Sequence, residues 1–191
     1  DNDTLVGGLG NDSLDGGNGT DWASYDGATG AVTVNLGTGI SSGGAGSDSL
    51  VSIENVLGSA HNDSLLGGNG ADTLAGGNGS DTLSGGLGND SLDGGVGSDW
   101  VSYADATAAV TVNLGTGISS GGAGNDSLAG FENVLSSAHN DSLLGGNGAD
   151  TLAGGNGSDT LSGGLGNDSL DGGIGSDWVS YADATAAVTV N

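Results

Sequence analysis

The sequence predicts an all-β fold in which short parallel strands stack into a solenoid. The first observation is a nine-residue period, because residues 67–102 read GGNGADTLA, GGNGSDTLS, GGLGNDSLD and GGVGSDWVS. Each unit has the form G-G-x-G-x-D-x-U-x, where U is a large apolar residue. The second observation is the excess of glycine, 44 of 191 residues without a collagen-like three-residue period, which therefore serves turns. The third is that no stretch has helical periodicity.

Each nonapeptide unit is expected to form one loop and one short strand. Its first six residues disfavour helix, because glycine loses much backbone entropy there and aspartate competes for backbone hydrogen bonds. The remaining x-U-x is a three-residue strand with one inward side chain, such as Leu74, Leu83, Leu92 or Val101. Two consecutive units make one coil, and successive coils stack as parallel strands about 4.8 Å apart.

A longer super-repeat contains these units. Trp22, Trp100 and Trp178 lie 78 residues apart, so the chain holds about two and a half copies of this super-repeat. We expect residues 1–191 to form a single continuous β-solenoid. The nonapeptide runs are residues 1–24, 58–102 and 136–180, and the spacer segments are residues 25–57, 103–135 and 181–191.

The spacer segments are expected to continue the same coil with wider turns. Val110, Val112 and Leu114 alternate with polar residues, which predicts a strand with one buried face. Phe131 and Val134 are predicted to be a second inward pair. The spacer also contains one more unit of nonapeptide form, GGAGNDSLA, at residues 121–129.

The charge of the chain restricts its partners. It has no Lys or Arg against 24 acidic residues, a net charge of −24, which excludes direct binding to nucleic acid or to an anionic membrane. No run of 18 apolar residues exists, and no signal peptide is visible within residues 1–191, which means little for a sequence that begins inside its own repeat. The chain has no Cys, so a metal is the obvious substitute for disulfides. Because it begins and ends within its own repeat, we expect it to be part of a longer protein.

The aspartate at position six returns to the same corner of the coil in every second unit. Asp63 is expected over Asp81 and Asp81 over Asp99, while Asp72 lies over Asp90 at the opposite edge. Such stacked carboxylates repel by about 1 kcal/mol per pair even in water, and a bound cation reverses that sign. Carboxylate and carbonyl oxygens in flexible loops suit Ca²⁺ better than Zn²⁺ or Cu²⁺, and Mg²⁺ demands a stricter octahedral geometry.

These tandem units, over roughly two thirds of the chain, resemble the RTX (repeats-in-toxin) nonapeptide repeat, whose motif forms a calcium-binding parallel β-helix. The resemblance implies a right-handed parallel β-roll in which each Ca²⁺ lies between loop n and loop n+2, bound by two position-six aspartates and by loop carbonyls. The pairs so implied are Asp3/Asp21, Asp63/Asp81, Asp72/Asp90, Asp81/Asp99, Asp141/Asp159, Asp150/Asp168 and Asp159/Asp177. The metal ligands expected are Asp3, Asp12, Asp21, Asp63, Asp72, Asp81, Asp90, Asp99, Asp141, Asp150, Asp159, Asp168 and Asp177.

Some units depart from the repeat pattern. The units that begin at Gly58 and Ser136 contain serine and histidine where the motif has glycine. Asp48 and Asp126 lie in isolated units, and Asp12 has no n+2 partner in the sequence. The sequence therefore leaves calcium binding at these positions open.

Several residues allow a second interpretation. His61 and His139 are either transition-metal ligands or tolerated substitutions in an edge loop, and the second is favoured. The three tryptophans either form a carbohydrate-stacking platform or, as we favour, cover the roll where its coil widens. The threonines at position seven suggest an ice-binding rank, but serine interrupts that rank.

No enzymatic activity is predicted. GISSG at residues 39–43 and 117–121 matches the G-x-S-x-G hydrolase motif, but that motif needs a strand before it and a helix after it. No helix is expected there.

Calcium is expected to fold the chain outside the cell. One or two inward side chains per half-turn cannot offset the entropy of ordering, so we expect disorder without Ca²⁺ and rigidity with it. Extracellular calcium modules bind at about 10⁻⁴ to 10⁻³ M. The resemblance implies export by type I secretion and a role as stalk, surface layer or filament. The alternative is the secretion and folding domain of an exported enzyme or toxin. Because neither end shows a polar cap, identical chains are candidate head-to-tail partners.

Overall fold

The computed structural model describes residues 1–185 and 187, which form strands and turns without any helix. This part of the chain therefore contains no helix that could cross a membrane. In chain order the strands are β1 (Thr4–Leu5), β2 (Ser13–Asp15), β3 (Trp22–Ser24), β4 (Val32–Asn35), β5 (Ile40–Gly43), β6 (Ser49–Val51), β7 (Asn55–Leu57), β8 (Ser64–Leu66), β9 (Thr73–Asn78), β10 (Thr82–Ser84), β11 (Ser91–Val96), β12 (Trp100–Ser102), β13 (Val110–Asn113), β14 (Ile118–Gly121), β15 (Ser127–Ala129), β16 (Asn133–Leu135), β17 (Ser142–Leu144), β18 (Thr151–Ala153), β19 (Asn156–Gly157), β20 (Thr160–Ser162), β21 (Ser169–Asp171), β22 (Ile174–Gly175) and β23 (Trp178–Val179).

Successive nonapeptide strands alternate between two sheets, which makes each pair of units one coil. The first sheet has the order β1-β3-β7-β9-β11-β15-β14-β13-β17-β20-β23, and the second has the order β2-β6-β5-β4-β8-β10-β12-β16-β18-β21. Neighbouring strands in a nonapeptide run are parallel and come from units one coil apart, as Thr82 opposite Ser64 shows. A third, two-stranded sheet pairs β19 with β22 in the loops. The predicted all-β solenoid of β-roll type is confirmed.

The core lies between the two sheets and is one side chain thick on each side. The predicted inward residues Leu74, Leu83, Leu92 and Val101 are all buried, with no more than 1% of their surface exposed. Fully burying a side chain of this size stabilises the fold by about 1.5–3 kcal/mol. Each strand of the central nonapeptide run, β8 to β12, contributes one such residue, because the residues on either side of it are exposed or half-buried.

The prediction that the spacers continue the coil with wider turns is wrong for their antiparallel strands and holds for their last strand, β7 or β16, which pairs in parallel with the preceding coil. In the second spacer β13, β14 and β15 form an antiparallel meander within the first sheet, with β15 against β11 and β13 against β17. The cause is a hairpin turn after β13, where Asn113 Oδ1 accepts the Thr116 N–H and Gly117 has a φ of 68°. Of the predicted strand face, Val110 and Val112 are buried, whereas Leu114 lies just after β13 and is half-buried against the core. Phe131 and Val134 are also buried, as predicted.

The meanders of consecutive spacers lie in opposite sheets. The first spacer places β4, β5 and β6 in the second sheet, whereas the second spacer places its meander in the first sheet. One super-repeat contains seven half-turns, namely β8 to β12, one meander and β16. Because seven is odd, equivalent strands such as β8 and β17 lie in opposite sheets. Each meander adds two strands, about 9–10 Å, to one side of the solenoid, and the next copy adds the same to the other side.

The third spacer, residues 181–191, lies partly outside the described residues, so its predicted strand is not described.

Truncation of a core leucine tests the thin core. We expect Leu83→Ala to lower the free energy of unfolding of the calcium-saturated protein by about 2–5 kcal/mol, because Leu83 has no exposed surface and its removal leaves a cavity. Leu87→Ala is the matched control, since Leu87 is 43% exposed in the next loop. Urea unfolding at saturating Ca²⁺ measures both. Equal losses for the two variants would contradict the assigned core.

Candidate metal centre

The loops bring the position-six aspartates into hydrogen-bonded stacks along both edges of the solenoid. The N–H of Asp63 donates to Asp81 Oδ1 at 2.7 Å, and that of Asp81 donates to Asp99 Oδ1 at 2.7 Å. Asp72 makes the same contact to Asp90 at 2.9 Å. The other pairs expected from sequence are joined in the same way: Asp3/Asp21, Asp141/Asp159, Asp150/Asp168 and Asp159/Asp177. All seven pairs are therefore brought together.

The glycines at the start of each unit keep carbonyl oxygens beside these carboxylates. A Cβ at Gly67 would lie 2.7 Å from Asp72 Oδ2 and would overlap the carbonyl oxygen of Gly85 in the next coil. Gly86 follows with a φ of 91°, and a Cβ there would overlap the carbonyl oxygen of Gly68. Gly67 is therefore required for space, and Gly86 is required both for space and for its backbone conformation. The result is a column of carbonyl oxygens next to each stack of carboxylates.

Many of the stacked carboxylates have one buried oxygen with no hydrogen-bond donor. These atoms are the Oδ2 of Asp12, Asp21, Asp81, Asp90, Asp99 and Asp159. Apart from Asp12, these side chains are at most 3% exposed. An ionised oxygen buried without a partner is strongly destabilising, so a positive charge or a proton must compensate it.

The donor set at these positions fits Ca²⁺. Within the described residues no group of three or more His, Cys, Asp or Glu side chains could hold a metal, so backbone carbonyls must complete any coordination shell. Carboxylate oxygens supplemented by carbonyls in glycine loops are the ligands that Ca²⁺ takes in proteins. Zn²⁺ and Cu²⁺ prefer nitrogen and sulfur ligands, which these loops lack.

Burial shifts the titration of the stacked carboxyls. Burial raises the pKa of Asp81 to about 6, the hydrogen bond from the Asp63 N–H opposes this rise, and the charges of Asp63 and Asp99 add to it. Burial likewise raises the pKa of Asp90 to about 6, against the hydrogen bond from the Asp72 N–H. Burial also raises the pKa of further members of the stacks, namely Asp72, Asp99, Asp150 and Asp159. Without a cation, these groups therefore take up a proton at a higher pH than an ordinary aspartate does.

The aspartates of the two degenerate units are satisfied by serine instead. Ser59 donates its hydroxyl to Asp63 Oδ1 at 2.8 Å and its N–H to Asp63 Oδ2 at 2.5 Å. Ser137 donates its hydroxyl to Asp141 Oδ1 at 2.9 Å in the next copy. These serines replace the second glycine of the motif. In the preceding coil the residue in register with Asp63 is Val32, which has no carboxylate. Its N–H donates to Asp63 Oδ1.

The isolated aspartates have partners that the sequence left open. The N–H of Asp12 donates to Asp48 Oδ1 at 2.9 Å, and the N–H of Asp90 donates to Asp126 Oδ1 at 3.0 Å. These partners are twice as far apart in sequence as those of the regular coils, because a meander lies between the two strands in the chain. Tyr103 donates its phenol hydroxyl to Asp126 Oδ2 at 2.9 Å.

The serines of the two GISSG segments also bind these aspartates. Ser41 donates its hydroxyl to Asp48 Oδ2 at 2.8 Å, and Ser119 donates to Asp126 Oδ2 at 2.7 Å. Each serine lies in a strand that is followed by a turn and another strand, not by a helix. The strand-to-helix elbow that a hydrolase serine requires is therefore absent at both segments.

Two glutamates that the sequence prediction missed also belong to the stacks. Glu54 Oε2 accepts the N–H of Asp21 at 2.9 Å, and Glu132 Oε2 accepts the N–H of Asp99 at 3.0 Å. Neither lies in a nonapeptide unit, so the motif does not reveal them. The signal available in the sequence was the spacing. Each glutamate lies 33 residues after the aspartate whose N–H it accepts, and two full coils of 18 residues would place it only three residues later.

The histidines and tryptophans lie at the edge of this arrangement. His61 and His139 are exposed, and the N–H of each donates to a serine hydroxyl of its own loop at 3.1 Å. Trp22 and Trp100 are half-buried, whereas Trp178 is exposed.

Comparison with protein families identifies the repeat. The model of the RTX calcium-binding nonapeptide repeat (4 copies) matches residues 1–30, 57–92, 66–101, 113–132 and 144–179. These segments together cover more than half of the chain and include most of each nonapeptide run. No curated protein matches the chain.

The raised carboxyl pKa values predict how stability without metal depends on pH. Between pH 6 and the ordinary value of 3.8 the folded protein binds more protons than the unfolded protein, so its stability rises as the pH falls. In excess chelator we therefore expect β ellipticity and thermal stability to increase when the pH is lowered from about 7 to about 4.5.

Two double variants separate this effect from the general loss of negative charge. Asp81→Asn with Asp90→Asn removes two buried carboxyls and should flatten the pH dependence. Asp26→Asn with Asp105→Asn removes two exposed carboxyls, one from each of the first two spacers, and should leave most of the pH dependence. Equal slopes for the two variants, or greater stability at pH 7 in chelator, would refute the assignment.

Proposed function

Because the chain belongs to the family of RTX calcium-binding nonapeptide repeats, we propose that it is a structural segment of a large exported bacterial protein that folds on Ca²⁺ outside the cell. There it forms a rigid stalk, surface layer or filament. The calcium-binding repeat region itself follows from the family match. The observation that supports the finer proposal is the row of buried, unpaired Asp Oδ2 atoms along both edges.

Calcium would bind beside these unpaired oxygens. Asp21, Asp81, Asp90, Asp99 and Asp159 would each contribute Oδ2, and the carbonyl oxygens of the glycine loops would complete the shell. The ion supplies the positive charge that a chain without Lys or Arg cannot supply itself. Each ion also joins two coils, so binding and stacking of coils are the same event.

The serine-bound aspartates Asp63 and Asp141 would not need a metal, because their carboxylates already accept hydroxyl or N–H donors. They lie next to a meander in their respective sheets. We infer that calcium-loaded coils alternate along the chain with meanders whose flanking carboxylates are neutralised by hydrogen bonds.

We propose that residues 1–191 form one continuous solenoid. Both sheets continue past each meander, since β13 pairs with β17 in the first sheet and β4 pairs with β8 in the second. The sheet opposite each meander also continues, through β12 with β16 and β3 with β7. A rod of stacked coils held along both edges suits a load-bearing role better than a flexible linker would.

Calcium supply decides where the chain folds. Extracellular modules of low affinity bind Ca²⁺ at about 10⁻⁴ to 10⁻³ M, far weaker than cytosolic calcium sensors. With such affinity the chain stays unfolded before export and folds outside the cell. An unfolded chain also suits passage through a type I secretion channel.

The repeat-only, all-β composition favours a structural role over a catalytic one. The alternative function, the secretion and folding domain of an exported enzyme or toxin, shares the calcium-dependent folding. A rod that spans several super-repeats favours the role of a stalk over that of a secretion and folding domain.

Calcium titration tests this function. In far-UV circular dichroism we expect a change from coil to β-structure on addition of Ca²⁺ and little change on addition of Mg²⁺ at the same concentration, because Mg²⁺ requires strict octahedral geometry and gives up its waters reluctantly. Electron microscopy of the calcium-loaded sample should show rods, and longer filaments would indicate end-to-end association of chains. β-Structure that persists in excess chelator at pH 7 would refute calcium-dependent folding.

A further inference from the structure

We propose that Glu54 and Glu132 are calcium ligands that continue each stack of metal sites across a spacer. Every calcium position expected from the repeat motif involves an aspartate of a nonapeptide unit. These two glutamates lie outside the motif, in the segments SIEN and GFEN. This inference rests on the calcium-dependent folding proposed above.

The strand register places each glutamate in the row of aspartates. Asn55 pairs with Trp22 in the preceding coil and with Thr73 in the following coil. Glu54 therefore stands between Asp21 and Asp72, the residues that precede those partners. In the next copy the pairing of Asn133 with Trp100 and Thr151 places Glu132 between Asp99 and Asp150.

Each glutamate side chain accepts the hydrogen bond that a stacked aspartate accepts, whereas its own N–H donates to the carbonyl of the preceding aspartate, Asp21 or Asp99. Glu132 Oε2 accepts the Asp99 N–H at 3.0 Å, just as Asp99 Oδ1 accepts the Asp81 N–H at 2.7 Å. Glu54 Oε2 accepts the Asp21 N–H at 2.9 Å. One carboxylate oxygen of each glutamate is thus used for stacking, as in the nonapeptide coils.

An unpaired buried oxygen lies below each glutamate. Asp21 and Asp99 have no exposed surface, and the Oδ2 of each has no hydrogen-bond donor. Asp81, whose partner Asp99 belongs to a nonapeptide unit, shows the same combination. The coils that end in glutamate therefore leave the same uncompensated charge as the coils that end in aspartate.

The short loop before each glutamate also supplies a carbonyl oxygen in the usual place. The Gly16 N–H donates to the Val51 carbonyl at 3.0 Å, which aligns Ser52 with the first glycine of a nonapeptide unit. A Cβ at Gly16 would overlap the Ser52 carbonyl oxygen, and one at Gly94 would overlap that of Gly130. The same overlap occurs between Gly67 and Gly85 inside a nonapeptide run.

The backbone at this point is held in an unfavourable conformation. Ser52 has a φ of 51° and is the one non-glycine residue with positive φ among residues 1–185 and 187. Gly130, its equivalent, has a φ of 66°. This turn directs the carbonyl into the site from a loop of three residues instead of six. The additional methylene of glutamate relative to aspartate extends the reach of the carboxylate from that shorter loop.

With the glutamates included, each edge has an unbroken row of acidic residues between meanders. The first row is Asp3, Asp21, Glu54, Asp72, Asp90 and Asp126, and the second is Asp63, Asp81, Asp99, Glu132, Asp150 and Asp168. Without them each row would have one gap, opposite the meander that lies in the other sheet. The sites at Asp21/Glu54 and Asp99/Glu132 close these gaps.

The number of calcium ions bound per chain tests the proposal. Equilibrium dialysis against ⁴⁵Ca²⁺ at saturation should show one ion fewer for Glu132→Gln and two fewer for Glu54→Gln with Glu132→Gln. The matched control, Asp26→Asn with Asp105→Asn, removes two exposed charges and should keep the full number. Asp81→Asn should lose at least one ion, which checks the repeat sites independently. Circular dichroism in Ca²⁺ checks that each variant folds. If the double variant does not fold, the ion count of Glu132→Gln alone tests the proposal.

The outcomes distinguish the glutamate sites from the calcium fold itself. If both glutamate variants bind as many ions as the control while Asp81→Asn loses one, the glutamates only accept an N–H, and the proposal is overturned. If the unmodified chain binds no calcium, the proposed function fails together with it. Glu132→Asp keeps the charge but shortens the side chain, so it should also lose the ion if reach from the short loop matters.

Discussion

The structure depends on how buried carboxylates are neutralised in a chain that has no Lys or Arg. Stacking the coils places one carboxylate over the next along both edges, with Asp81 and Asp99 fully buried. Without compensation these charges oppose stacking, because burial disfavours the ionised form and the neighbours repel each other. The chain uses two kinds of compensation. At Asp81, Asp90 and Asp99 in the regular coils, one carboxylate oxygen is left free beside loop carbonyls. In the meanders serine and tyrosine hydroxyls donate to that oxygen, as Ser119 and Tyr103 do to Asp126.

The spacers adjust the geometry of the solenoid as well as its charge. Each meander adds two strands to one sheet, which alone would make that side longer. Because a super-repeat contains an odd number of half-turns, the next meander is added to the opposite sheet. The two sides therefore grow equally over two copies. A change of one nonapeptide unit per super-repeat would place all meanders in one sheet, so the odd number of half-turns is what lets both sheets gain the same number of strands.

The sequence predicted the regular part of the fold well and the spacers poorly. The nine-residue period was sufficient to predict the parallel strands, the inward leucines such as Leu83 and the stacking of Asp63, Asp81 and Asp99. Alternation in the spacer correctly predicted the buried face of β13, but alternation does not distinguish parallel from antiparallel neighbours. The hairpin depended on Asn113 and Gly117, a local turn signal that was not used. The glutamate at position 132 was missed because its loop has three residues instead of six and no longer resembles the motif.

Crystals grown in Ca²⁺ would test the central claim most directly, through the anomalous scattering of calcium. Our account predicts anomalous peaks beside the Oδ2 atoms of Asp81, Asp90 and Asp99, between successive loops at both edges. It predicts no peak at the serine-bound carboxylates of Asp63 and Asp141. An ordered solenoid without peaks in the glycine loops would contradict the claim that cations compensate the buried carboxylates. Peaks of equal height at the serine-bound carboxylates would contradict the division between metal and hydroxyl compensation.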